Sequence, residues 1–198
     1  MASVEEVLQY WFGNAPGAAA SRERTRFWFA GGEAVDREIR QRFGDLVEDA
    51  AAGDLDPWRQ SDRGTLALII LLDQFPRNIH RGSALAYACD ARALQLALDG
   101  MAAGQDRSLT TVERAFFYLP LEHAEDLEIQ RKSVRAFEEL LAEAPAALRP
   151  LCEGFLDYAW KHLRVIERFA RFPHRNAALG RPSSAEEEEF LRQPGSSF

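Results

Sequence analysis

The chain has 198 residues, 46% hydrophobic and 28% charged, with a formal net charge of −7 at pH 7 and a pI near 5.2. That length suits one domain with a sizeable core, and the acidic balance argues against general attraction to nucleic acid or membrane surfaces. Cys89 and Cys152 show neither metal-ligand nor disulfide-framework spacing, which fits a reducing cytosol. The opening MASVEEVLQYWFG lacks the basic-then-apolar order of a signal peptide, and the longest apolar run, Leu66 to Leu72, is too short to span a bilayer.

The pattern is helical almost throughout. Ser3 and Glu6 form a capping box before a face of Val4, Val7, Leu8 and Trp11, and Gly13 to Gly17 breaks that helix. RFWF (26–29) precedes a Gly31-Gly32 break. Val35, Ile39, Phe43, Leu46, Val47 and Ala50 then mark an amphipathic helix that Gly53 ends. TLALIILLDQ is apolar all round and reads as a buried helix. Tyr87, Ala91, Leu94, Leu98 and Met101 form a helix seam, and Gly104 to Ser108 a loop. Thr110 and Glu113 make a second capping box, with Pro120 expected to interrupt or end the turns that follow. Ile129, Ser133, Ala136, Phe137, Leu140 and Leu141 give a helix that Pro145 stops. Phe155, Tyr158, His162, Val165, Phe169 and Phe172 predict one long continuous stripe, and its aromatics read as core. Ser184 and Glu187 cap a short last helix, whose EEEE run suits a helix first turn, and residues 193–198 are expected to be a loose tail.

No segment alternates with a strand's period. The expectation is therefore one all-α domain over residues 1–198, built of stacked antiparallel helix hairpins in a tetratricopeptide-like arrangement, though without that repeat's standard consensus.

Two stretches share an unusual ending. LLDQFPRN (71–78) and RFARFPHRN (168–176) both close an apolar segment with Phe-Pro, followed by Arg and Asn, with His80 or His174 close by. As punctuation this makes sense. Proline disfavours the helical conformation before it, so Phe75 and Phe172 should be last helical residues. An arginine complements the helix dipole, and Asn tolerates chain reversal. A site is the sharper reading, because YLPLEHAED (118–126) adds Glu122, His123, Glu125 and Asp126, and all four histidines, with His162, lie in or beside these segments. From Lys161 to Arg181 there are six bases and one acid, and Arg164, Arg168, Arg171 and Arg175 would form a guanidinium row on one helix. Such forks suit carboxylate or phosphate. The expected ligand-binding residues are Arg77, Asn78, Arg81, Arg168, Arg171, Arg175 and Asn176. The competing reading is internal pairing with Asp73, Glu122, Glu125 and Asp126.

The three stretches LLDQFPRNIHRGSALAYACDARAL, FFYLPLEHAED and RFARFPHRNAALGRPSSAEEEEFL, together with VLQYWFG and RFWF, resemble the signatures of the family designated domain of unknown function 924 (DUF924). The likeness runs over nearly the whole chain. It implies an all-helical, tetratricopeptide-like fold and no established activity. The positions that fit its motifs are Asp73, Gln74, Pro76, Arg77, Asn78, Arg81, Glu122, His123, Arg168, Phe172, Pro173, His174, Arg175 and Asn176.

Known chemistries leave few options. No metal-ligand spacing, P-loop or dinucleotide fingerprint is present, so no metal or cofactor is expected. Both cysteines sit at apolar helix positions, where thiols are inert. His162 reads as a core histidine. General acid–base chemistry stays open, with Glu122, His123, His174 and Asp73 as candidates. Two expectations follow for a cytoplasmic protein of open oligomeric state. The first is a module binding a small anion or an acidic peptide end. The alternative is an enzyme acting on a small anionic substrate, marked by a closed pocket of modest volume with a carboxylate and a histidine within hydrogen-bond reach.

Overall fold

The structure, a computed structural model, describes residues 3–13 and 22–196. Helices α1 (Val4–Phe12), α2 (Arg22–Ala30), α3 (Gly32–Ala52), α4 (Asp62–Ile69), α5 (Phe75–Ile79), α6 (Asp90–Ala102), α7 (Thr111–Glu122), α8 (Leu127–Glu143), α9 (Arg149–Phe169) and α10 (Ala185–Leu191) follow one another, with no strand among the described residues. None of these helices is long and apolar enough to cross a membrane. The break expected at Gly13 to Gly17 lies, from residue 14 onward, outside the described residues, as do tail residues 197 and 198. Within the tail, Ser196 Oγ donates to the Leu191 carbonyl.

All three capping boxes form, at Ser3–Glu6, Thr110–Glu113 and Ser184–Glu187. Each satisfies two N–H groups that a helix start leaves without partners. One continuous apolar core runs from Val7 to Leu163. At its centre Trp11 meets Phe75 and Phe116 edge-on, with centroids 5.6 and 5.7 Å apart, and Phe137 stacks on Phe155 at 5.9 Å. Fully burying side chains of this kind contributes roughly 1.5–3 kcal/mol each. Helix α7 is buried along nearly its whole length, and α8 packs chiefly on α9 and α7.

Several boundaries differ from the sequence reading. Phe75 does not end a helix. The chain widens into one π turn, Ile70–Gln74, in which the Phe75 N–H donates to the Ile70 carbonyl, and helix resumes as α5 with Pro76 in its first turn. There a missing N–H is harmless, and the wide turn makes room for the ring. Pro120 lies inside α7 and does not end it; packing on all sides carries the helix past the lost bond. Gly104 to Ser108 holds one 3-10 turn, Gln105–Ser108. Tyr87 belongs to a 3-10 turn, Ala84–Tyr87, and α6 buries Ala93, Leu96, Ala97 and Gly100 most deeply, while Leu94, Leu98 and Met101 of the expected seam pack partly buried against the core and Ala91 is exposed. Gly100 lets α6 approach α7 closely, since a Cβ there would stand 2.5 Å from the Phe117 ring. Finally α9 ends at Phe169, with Ala170 left-handed at φ 57°, so Phe172 lies beyond the helix and Tyr158 is exposed with Lys161 over its ring.

The fold thus brings five pieces together: the π turn, the start of α6, the end of α7, the middle of α9 and the segment after it. Two glycine substitutions test the packing with opposite signs. A Cβ on Gly64 would stand 2.0 Å from the Trp58 carbonyl oxygen, so Gly64→Ala should destabilise by about 3 kcal/mol or more in urea unfolding. Gly44, inside α3, has open space around it, and Gly44→Ala should stabilise by about 1 kcal/mol.

Candidate functional site

Asp73 sits on the π turn and is fully buried. A carboxylate there needs partners on every side. Gln74 Nε2 donates to Oδ2 at 2.6 Å, and His123 Nδ1 lies 2.7 Å from Oδ1. Arg77, one helical turn on, donates to the Asp73 carbonyl at 2.7 Å and stands 3.3 Å from its carboxylate. The same guanidinium forks onto Asp90, the first residue of α6, at 2.9 and 3.0 Å. Arg175 then donates to Asp90 Oδ2 at 3.1 Å and lies over the Tyr87 and Phe172 rings at 4.7 and 4.6 Å. The two Phe-Pro segments, about a hundred residues apart, therefore meet on one aspartate.

A second branch adjoins the first. Glu122 ends α7, is 3% exposed, and has Oε1 3.2 Å from His162 Nδ1. That nitrogen is also 2.9 Å from the Tyr158 carbonyl. The His123 and His162 rings are 6.2 Å apart, and Phe172 lies 5.4 Å from His162 and 5.7 Å from His174.

The acceptors fix the tautomers. Carbonyls and ionised carboxylates only accept, so both imidazoles carry their proton on Nδ1 and donate it, His123 to Asp73 and His162 to Tyr158. Each Nε2 is then a lone-pair nitrogen. Burial opposes the charge on Asp73, but Arg77, His123 and the bonds from His123 and Gln74 outweigh it and hold the carboxyl well below its ordinary range. Glu122 goes the other way. Burial, helped by the nearby Asp73 charge, raises it well above the usual glutamate value. Its Oε1 faces His162 Nδ1, while its buried Oε2 has no hydrogen-bond partner. Burial lowers His123, with Arg77 adding to the effect against Asp73, and lowers His162 further. His174 is pushed down to about 4 by burial, then by Arg175 and His123.

Other expected site residues are placed elsewhere. Asn78 and Arg81 both bind Asp36 of α3, at 2.8 Å each. The guanidinium row does not form, because α9 stops at Phe169 and the later arginines leave its register. Arg168 pairs with Glu186 and Arg171 forks onto Glu187, both in the first turn of α10. Asn176 binds Ser183 and Arg181. His80 caps α5 through its backbone. Of the acids proposed as internal partners, Asp73 takes Arg77 and Glu125 takes Arg181, while Asp126 caps α8. Asp90 and Tyr87 were missed. They stand in the AYACDAR stretch (86–92), where the spacing predicts a helix seam and gives no separate signal for a site. Among the described residues no three His, Cys, Asp or Glu side chains are grouped to hold a metal ion.

A family model described as "Bacterial protein of unknown function (DUF924)" matches residues 7–195. The chain belongs to the DUF924 family. It is also similar to a solved structure, the protein of unknown function ATU0120 from Agrobacterium tumefaciens, at 34% identity, with 96% of each chain covered and a TM-score of 0.80. No curated protein matches the chain. The DUF924 match takes in the whole cluster, from Asp73 to Arg175.

Removing Asp90 leaves the buried Arg175 without an acid and should cost about 3–5 kcal/mol, whereas Arg175→Ala leaves Asp90 on Arg77 and should cost clearly less. Equal losses in urea unfolding would contradict the shared-acid geometry. Glu122 gives a pH signature. Its folded value lies above the ordinary 4.5, so stability present below 4.5 is lost as pH rises toward the raised value. Glu122→Gln lacks that loss, and its stability relative to the wild type should climb with pH above 4.5 and then level off. His174 acts in the opposite direction. Its folded value is depressed, so its contribution is present above 6.5 and lost as pH falls from 6.5 to about 4.

Proposed function

We propose that this DUF924 member is an enzyme that performs acid–base chemistry on a small molecule, with His123 as base and Glu122 as acid. The carrying observation is the 2.7 Å contact between His123 Nδ1 and the buried carboxylate of Asp73. An anion on Nδ1–H fixes the imidazole's tautomer and orientation and stabilises the imidazolium formed when Nε2 takes a proton. Glu122 supports the pairing because burial and the nearby Asp73 charge raise its carboxyl, the direction a proton donor needs. The opposite shifts of Asp73 and Glu122 separate the anion that orients His123 from the carboxyl that would serve as acid. The side chains of Arg77, Asp90 and His123, all partly exposed, form the approach.

A second reading has one observation in its favour. Arg175 is buried and its Nε has no partner, which suits a small anion or an acidic peptide end. Against it, the charges of Arg77 and Arg175 are matched by Asp73 and Asp90, so the cluster has no net attraction for anions. A cytoplasmic setting and a tetratricopeptide-like stacking of α7, α8 and α9 belong to the same proposal, supported by the composition and by the short turns between those helices.

Nitrogen-15 imidazole spectra test the base. His123 should be the Nδ1–H tautomer and titrate below 6.5, and Asp73→Asn should scramble its tautomer. A proton on Nε2, or titration at or above 6.5, would overturn the reading. On a panel of small esters, amides and carbonyl compounds, His123→Gln should lower any turnover by about 10²–10⁴.

A further inference from the structure

Residues 170–191 are held differently from the rest of the chain. The main core ends with Leu163, and a separate apolar cluster of Val165, Ile166 and Phe172, with Leu127, Phe169 and Phe190 against it, lies under this segment. Beside that apolar seat, polar contacts fasten it. Phe172 N–H donates to Glu125 Oε1 at 2.7 Å, and Arg181 forks onto Glu125 at 2.6 and 2.9 Å while also reaching the Phe172 carbonyl at 3.1 Å. Arg175 rests on Asp90, and the exposed Arg168 pairs with Glu186. The segment starts at Ala170, the one non-glycine residue with positive φ among the described residues. That conformation is disfavoured for an L-residue with a side chain, and it lies at the sharp turn off α9.

The same segment closes the site. Phe172, wholly buried, sets its ring 5.4 Å from His162, and His174 and Arg175 follow it inward. Beneath them Glu122 and His162 are each 3% exposed, so no small molecule reaches either in this arrangement. A cover fastened by polar contacts, turning at a disfavoured backbone residue and resting on its own small cluster, has the makings of a unit that opens without the core.

We propose that residues 170–191 form a strap that swings about Ala170, lifting Phe172 and Arg175 to admit a small molecule to Glu122 and His162. The purpose of the motion rests on the acid–base reading, whereas its occurrence is measurable without it.

The experiment is hydrogen exchange by mass spectrometry on the full chain, paired with diethyl pyrocarbonate labelling of His162. Strap amides should exchange faster than those of α7 and of α9 up to Ile166, and His162 should label at the rate of strap opening. Glu125→Gln, which keeps the shape but removes the charge under Arg181, should speed strap exchange and His162 labelling together by about tenfold or more, with core exchange unchanged. Molar salt should move the wild type in the same direction, which keeps the test valid if the variant folds poorly. Strap amides and His162 that respond only at the rate of core exchange, in the variant and in salt, would overturn the proposal. So would a strap that loosens while His162 labelling stays at the core rate. A failed acid–base reading would show separately, in the His123 tautomer of the closed protein.

Discussion

A single buried charge organises this molecule. Asp73 has no exposed surface, and an ionised carboxylate in that position is tolerable only when it is fully partnered. Gln74 and Arg77 come from its own segment, and His123 comes from the far end of α7. Arg77 cannot serve Asp73 alone without leaving part of its fork idle, and Asp90 at the head of α6 fills it. Asp90 in turn has an oxygen to share, and Arg175 takes it. Each partner requires the next, so one carboxylate fixes the relative positions of α5, α6, α7 and the chain after α9. Ion pairs of this kind are poor sources of net stability, because desolvation cancels most of the attraction. Their effect here is to specify geometry, while the aromatic centre around Trp11, Phe75 and Phe116 supplies the favourable free energy.

Against that well-partnered group, Glu122 stands out. It is nearly as enclosed, yet its Oε2 has no hydrogen-bond partner. A buried polar atom left unsatisfied costs about 1–3 kcal/mol. A glutamine or an apolar residue would avoid the ionisable group altogether. Retaining it beside two imidazoles is the pattern expected where chemistry, and not stability, sets the residue. Thus one cluster contains both kinds of polar burial: Asp73 with every need met, and Glu122 with one need open.

Much of this was legible in the sequence, and the misses have physical causes. Periodicity and capping boxes depend on neighbours in the chain, so Ile39, Phe43, Leu46 and Val47, or Thr110 with Glu113, can be read directly. The all-helical class is accessible in the same way, whereas the grouping of Asp73, Arg77, Glu122, His123, His174 and Arg175 is suggested only by recurring motifs and clustered histidines, and the meeting of the two Phe-Pro segments on Asp90 needs the fold. The guanidinium row failed because a helix end moved by three residues, and side-chain facing is lost once the helix stops. Arg168 and Arg171 then found the acids of α10, a tertiary fact with no local signal. Asp90 was hidden for a related reason. At a helix start an aspartate is ordinary punctuation, and only the fold shows that two arginines converge on it.

The repeated Phe-Pro motif shows how far local rules reach. In both copies the proline does what its chemistry dictates, yet the outcomes differ. Pro76 enters the first turn of a helix, because the π turn before it removes the clash that would have stopped the chain. Pro173 follows a residue held extended, Phe172 with ψ 106°, and starts only a single 3-10 turn. The first copy is anchored within the main core, whereas the second lies outside it, on the segment hinged at Ala170. Both nevertheless deliver an arginine to Asp90, one from a fixed helix and one from the strap. The shared aspartate is therefore the point where a rigid half and a fastened half of the site meet. Because the rigid half already satisfies Asp90 through a bidentate fork, the other arm can come away without leaving that acid unpaired. This asymmetry lets one network hold the site's geometry while leaving part of its wall free to move.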